Sequence, residues 1–112
     1  MAVNPKEWKN SDIGIFSAAV ADYRPSNPTN SKIKKNNEKI TLELIKNPDI
    51  LDWAGQNKST KQYLIGFALE TNNEIENAKG KLSKKNLDLL ILNSLNDKGA
   101  GFEHDTNKVT FI

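Results

Sequence analysis

The sequence predicts an α/β domain built on a Rossmann-like, open and mostly parallel sheet, with flanking helices and a C-terminal hairpin. Three observations carry this. Nearly continuous apolar runs at residues 12–22, 63–69 and 87–93 read as strands covered on both faces, as parallel sheets require. A helix start at Asn47 to Leu51, and apolar positions Ile75, Ala78 and Leu82 at helical spacing, fall between those runs. The connections are short, so the order strand, helix, strand, helix, strand fits an open α/β sheet.

Taken in order, Lys6 to Asn10, with Trp8, reads as the tail of an element preceding the first strand. That strand ends in the small residues Ser17, Ala18 and Ala19 and then the acid Asp22. Tyr23 to Ser31 is rich in Pro, Asn and Ser and reads as a loop. Lys32 to Lys39 holds four lysines and one acid, and residues 26–39 together form an exposed flap, a length that is more often functional than idle. Ile40 to Ile45 alternates as a strand does. Asn47 as cap, Pro48 at the first helical position and Asp49 in the first turn open a helix that runs to about Gly55. Residues 63–69 form the second buried strand, Asn72 to about Lys84 a helix, and residues 87–93 the third strand. A Gly-containing loop follows, and Phe102 with Val109 to Ile112 forms two arms of a closing hairpin around Asp105 to Asn107. Both ends read as cut, so residues 1–112 are expected to be part of a single, larger domain.

Composition narrows the chemistry. The 112 residues are 37% hydrophobic and 27% charged, with a formal charge of +2. Near-neutrality and a single arginine, Arg24, argue against a nucleic-acid partner. No apolar run is long enough for a membrane span and no signal peptide opens the chain, so a cytoplasmic protein is expected. There is no cysteine and only one histidine, His104, which excludes thiol nucleophiles and makes a zinc cluster or a Ser–His–Asp triad improbable. Chemistry must rest on lysines, carboxylates, amides and the backbone.

Ligands of open α/β sheets sit beyond the carboxyl ends of the strands. The candidates there are Ala18 to Asp22, Phe67 to Thr71, and Asn93. Asp22 is either a ligand-binding carboxylate or the cap of a turn. The helix start at Pro48 to Leu51 offers free N–H groups, as every helix start does. Lys81 and Lys85 either complement a helix dipole or clamp a polyphosphate. Lys32, Lys34 and Lys35 are either a solvated run or a lid over an anion. Phe67 is either core or a stacking platform. The residues by themselves yield a nucleotide- or phosphate-handling domain, without a GxGxxG or GxxxxGK[ST] motif.

The succession Ala18 to Pro25 (AAVADYRP), Lys32 to Lys35 (KIKK), Lys46 to Leu51 (KNPDIL), Gly66 to Thr71 (GFALET), Lys81 to Asp88 and Asn93 resembles the phosphopantothenate–cysteine ligase family, the synthetase half of the bifunctional coenzyme A biosynthesis flavoprotein. The resemblance implies a CTP-dependent ligase that joins 4′-phosphopantothenate to cysteine through an acyl cytidylate, with Mg²⁺ accompanying CTP. It implies CTP contacts from Phe16, Ser17, Ala18, Asp22, Lys32, Pro48, Asp49, Ile50, Leu51, Phe67, Lys81 and Lys85. Lys32 would be the catalytic lysine of a flap that also bears Lys34 and Lys35. FMN would belong to a separate decarboxylase domain, and family members are homodimers. The family's glycine-rich first βα unit is missing from this stretch, so the fragment alone is expected to be inactive. The alternative is a non-catalytic nucleotide-binding or interaction module on the same fold.

Overall fold

The computed structural model describes residues 4–28, 38–96 and 107–112. Its elements in chain order are α1 (Pro5–Lys9), β1 (Ile13–Phe16), β2 (Tyr23–Pro25), β3 (Leu44–Lys46), α2 (Ile50–Gln56), β4 (Tyr63–Glu70), α3 (Glu74–Lys84), β5 (Leu89–Ser94) and β6 (Thr110–Phe111). They fall into two compact units, Met1–Ala18 with Ile50–Ile112, and Ala19–Asp49.

The first unit is a four-stranded sheet in the order β1-β4-β5-β6. β1, β4 and β5 run parallel, and β6 closes the sheet antiparallel to β5. The expected α/β architecture is therefore present, with β5 as the hairpin partner of the last strand. Phe102, the expected first arm, lies outside the described residues, as does His104.

One face of the sheet is covered. Trp8 from α1, Ala54 from α2 and Ala78 from α3 meet Leu64, Ala68, Leu90 and Leu92 in a single buried cluster. Leu64 and Leu90 are its largest fully buried side chains, and each burial contributes about 1.5–3 kcal/mol. The Trp8 ring stands edge-on to Phe16, centroids 6.0 Å apart, while its Nε1 donates to the Ala54 carbonyl at 3.1 Å. One side chain thus locks α1 to both β1 and α2.

Among the described residues no element covers the other face, where strands covered on both sides were expected. Ile13 and Ile15 are exposed on β1, and Tyr63, Phe67 and Leu69 on β4. The reason lies in the alternation of the strands: β4 buries Leu64, Gly66 and Ala68, while Ile65 between them is half-buried and Phe67 exposed. Continuous apolarity reported the chemistry of both faces correctly, but the three helices contribute to one core only.

Helix α3 ends in a Schellman motif. The Leu87 N–H donates to the Leu82 carbonyl at 2.9 Å and the Asn86 N–H to the Ser83 carbonyl at 3.3 Å. Asn86 takes the left-handed conformation, φ 54°, that this motif needs. Its side chain then donates to the Gly55 carbonyl at 3.0 Å, tying α3 to α2.

The second unit is a two-stranded antiparallel ribbon pairing Tyr23 with Lys46, Arg24 with Ile45 and Pro25 with Leu44. The expected loop at 23–31 thus begins with a strand, and the strand expected from Ile40 shrinks to Leu44–Lys46. Pro25 lacks an N–H and sits at the end of the ladder, where that loss costs least. Residues 29–37 of the expected flap, with Lys32, Lys34 and Lys35, lie outside the described residues.

Candidate functional site

A set of polar side chains gathers at the carboxyl ends of β4 and β5, where α/β sheets present ligand sites. Glu74, in the first turn of α3, accepts from the Ser94 hydroxyl and from Asn96 Nδ2, the latter at 2.7 Å. Asn96 also donates to the Thr71 carbonyl at 2.7 Å, and its own N–H donates to Ser94 Oγ at 3.1 Å. Lys81 forms an ion pair with Glu70 at the end of β4. Asn93 donates to Asn107 Oδ1 and to the Lys108 carbonyl, joining β5 to the approach of β6. The result is a shelf with two carboxylates and three amides, held in three separate sets: Glu74 with Ser94 and Asn96, Glu70 with Lys81, and Asn93 with Asn107. Such a shelf can accept and donate hydrogen bonds to a polar ligand.

The opposite, amino-end edge is built for rigidity. Asp88 Oδ2 accepts from Lys58 Nζ at 2.8 Å and from the Leu64 N–H at 2.7 Å. Burial pushes the Asp88 carboxyl up, but the Lys58 and Leu64 hydrogen bonds and the Lys58 charge outweigh it, so it sits below its ordinary value. Gln62, 8% exposed, donates to the Trp8 and Ser11 carbonyls at 2.6 and 2.7 Å while accepting from the Ser59 N–H at 2.9 Å.

The residues expected at a site are distributed as follows. Phe16, Ser17 and Ala18 end and follow β1 in the first unit, with Phe16 against the core and the other two exposed. Phe67 lies in the middle of β4 on the open face, beside Ile91, rather than at the strand's tip. Lys81 points to Glu70, whereas Lys85 is the C-cap of α3. Ile50 and Leu51 open α2, and Leu51 packs on the core. Asp22, Pro48 and Asp49 belong to the second unit.

The helix begins at Ile50, two residues later than expected. Asn47 does not cap it with its side chain: Nδ2 donates to the Ala21 carbonyl at 2.8 Å and Oδ1 accepts from Arg24 Nη1 at 2.8 Å. The Asn-Pro-Asp signature reads as a cap, but Asn47 instead closes the ribbon. Glu74, Ser94 and Asn96 escape sequence reasoning. Their one signal is their place just after two predicted strands. Among the described residues no group of His, Cys, Asp or Glu is arranged to hold a metal ion, and no helix is long and apolar enough to cross a membrane.

A family model described as "DNA/pantothenate metabolism flavoprotein C-terminal domain" matches residues 1–112. A relative named cysteine/cysteine sulfinic acid decarboxylase, from an unknown prokaryotic organism, is 47% identical over 105 residues, covering 94% of this chain and 29% of its own length. The coenzyme A biosynthesis bifunctional protein CoaBC of Bacillus subtilis (strain 168) is 47% identical over 102 residues, covering 91% of this chain and 25% of its own length. Among solved structures, the C-terminal domain of a CoaBC protein superposes with a TM-score of 0.68 at 38% identity, covering 95% of this chain and 42% of that one. A DNA/pantothenate metabolism flavoprotein from Streptococcus pneumoniae shares the fold, with a TM-score of 0.69 at 23% identity. The chain therefore spans between about a quarter and a third of the curated relatives it matches.

These findings correct how far the sequence expectation reaches. The names of the matching family and relatives speak of a flavoprotein, a bifunctional protein and a decarboxylase, and none of them mentions a ligase, CTP or Mg²⁺. The ligase reaction, with its nucleotide and metal, is therefore not carried forward, and neither is the non-catalytic alternative. One expected contact also finds a different partner, since the Lys81 ammonium, assigned to a triphosphate, is engaged by Glu70. By fold, by sequence and over its whole length, this chain belongs to the DNA/pantothenate metabolism flavoprotein C-terminal domain family.

Proposed function

We propose that this chain is the substrate-holding part of a C-terminal domain in a bifunctional enzyme of coenzyme A biosynthesis, acting in the cytoplasm. The observation that carries this reading is the family match along residues 1–112, joined to the likeness to CoaBC proteins in sequence and in fold.

The described residues do not fit a flavin. A planar ring needs a backbone slot, yet a Cβ at Gly14, Gly55 or Gly66 would meet Trp8, the Lys85 carbonyl or Leu51 within 3 Å. Those glycines serve internal packing. We read this domain's part as holding substrate. On the carboxyl-end shelf, Asn96 and Ser94 keep the Glu74 carboxylate oriented, so that it can accept from an amide, hydroxyl or ammonium of a substrate. Ser17 and Ala18, exposed after β1, offer backbone groups to the same kind of ligand.

The test uses the natural polypeptide at its full length and follows two reactions side by side. One assay measures consumption of 4′-phosphopantothenate with cysteine and a nucleoside triphosphate. The other measures CO₂ release from 4′-phosphopantothenoylcysteine, cysteine and cysteine sulfinate. Glu74→Gln should raise KM more than it lowers kcat in one of the two and leave the other unchanged, as expected for a positioning group. The reaction that responds is the one this domain serves. A native protein inactive in both assays, or a variant unaltered in both, overturns the reading.

A further inference from the structure

Helix α2 runs for only seven residues, Ile50–Gln56, so the carbonyls of its last four residues have no partner inside the helix. Three of them are taken by side chains from elsewhere in the chain. The Trp53 carbonyl accepts from Asn57 Nδ2 at 2.9 Å, that of Ala54 from Trp8 Nε1 at 3.1 Å, and that of Gly55 from Asn86 Nδ2 at 3.0 Å. Trp8 also reaches β1. A Cβ on Gly14 would stand 2.5 Å from its ring, and the Phe16 ring meets it edge-on. The Trp8 carbonyl accepts from Gln62 Nε2 at 2.6 Å, so its backbone is fixed as well as its indole.

We infer that Trp8 is a positioning residue for substrate binding: its indole N–H, locked on Ala54, holds Phe16 and thereby the Ser17–Ala18 backbone in the place that receives the ligand. This rests on the substrate-holding reading above. Strand β1 has four residues and pairs, among the described residues, with β4 alone. Its last residue, Phe16, stands opposite Gly66, which has no side chain to steady it. The Trp8 ring supplies that contact, and Ser17 and Ala18 follow directly, exposed at the strand's carboxyl end. Trp8 itself is 4% exposed and does not reach that surface, so it acts through the strand. A shift of about 1 Å in groups that orient a substrate is costly, even when the cause lies away from the site.

The two assays of the natural full-length polypeptide test the role with two replacements. Trp8→Phe keeps an aromatic ring and removes the N–H. The benzothiophene analogue of tryptophan, incorporated at position 8, removes the N–H and keeps the shape of the indole, so it tests the hydrogen bond without a cavity. Both should raise KM about fivefold, the scale of one neutral hydrogen bond, in the reaction that responds to Glu74→Gln, with kcat changed less than about twofold. A lowered melting temperature with KM unchanged makes Trp8 a purely structural residue and overturns the inference. So does a KM that rises in Trp8→Phe and not in the analogue, which assigns the effect to ring volume. Where Glu74→Gln responds and neither replacement at position 8 does, only the role of Trp8 falls. Silence of all three variants in both reactions removes the substrate-holding reading with it.

Discussion

Gly55 and Lys85 meet so closely that a Cβ on Gly55 would stand 1.9 Å from the Lys85 carbonyl oxygen. The contact is backbone against backbone, so no rotamer change can relieve it. At Gly66, by contrast, the first atoms met are the Leu51 Cδ2 at 2.9 Å and the Leu87 Cδ1 at 3.0 Å, both at the ends of side chains. Gly55→Ala should therefore destabilise by about 3 kcal/mol or more, at the upper end of overpacking costs, and Gly66→Ala by about 1–2 kcal/mol. Urea unfolding of the two variants checks the order, and a milder effect at Gly55 contradicts the geometry.

Asp88 links acid sensitivity to the amino-end edge. Its carboxyl is held below the ordinary value of 3.8 in the folded protein. The stability it contributes is complete above that value and is lost as pH falls through the lower, folded one. Asp88→Asn should flatten this part of the acid-unfolding profile, and at neutral pH it should cost about 1 kcal/mol. Melting temperatures of both proteins between about pH 6 and pH 2, which bracket an ordinary carboxylate, give the comparison. Parallel profiles would count against the role of Lys58.

Gln62 donates with its amide nitrogen to two carbonyls, those of Trp8 and Ser11. Gln62→Glu turns that nitrogen into an oxygen and sets like dipoles face to face. It should destabilise by about 1–3 kcal/mol at neutral pH. The deficit relative to the native sequence should shrink as pH falls toward the ordinary carboxyl range, because the introduced carboxyl, once protonated, can donate again. A deficit independent of pH would show that lost packing, not the lost donor, is responsible.

Asn47 closes the ribbon of the second unit through Ala21 and Arg24. Asn47→Ala should speed amide exchange at Ser26 and at position 47, whose N–H groups donate across that ribbon at 3.0 and 2.7 Å. The Leu64 and Leu90 amides of the first unit should keep their protection. Uniform acceleration everywhere would mean that the two units unfold together.

How much of this was legible in the sequence differs by element. β4, α3 and β5 were found nearly to the residue, because an apolar run or a helical repeat is a property of the segment itself. Of the ribbon, the second strand is anticipated at Ile40–Ile45 but is shorter and ends later, and the first reads as loop, since nothing local in Tyr-Arg-Pro tells that it pairs with Leu-Ile-Lys some twenty residues away. The helix start failed for a related reason. Asn47 has the side chain of a cap, and only the distant Ala21 carbonyl reveals that it is used elsewhere. At the candidate site the strand ends were anticipated as a location, yet Glu74, Ser94 and Asn96 carry no motif. Their grouping exists only because β4 and β5 are neighbours in space. The family resemblance reaches the coenzyme A biosynthesis setting that the names of the CoaBC relatives carry.

The position of β4 also sets the order of assembly. β4, α3 and β5 are consecutive, so their pairing closes only a short loop. β1 reaches the same strand across everything between Phe16 and Tyr63. Loop-closure entropy and contact order place such a distant pairing late in folding. Residues 63–94 are then the nucleus on which the molecule is built, and β1 joins as the final rung. Substitutions that loosen the pairing of β1 with β4 are therefore expected to speed opening of the native state more than they slow its formation.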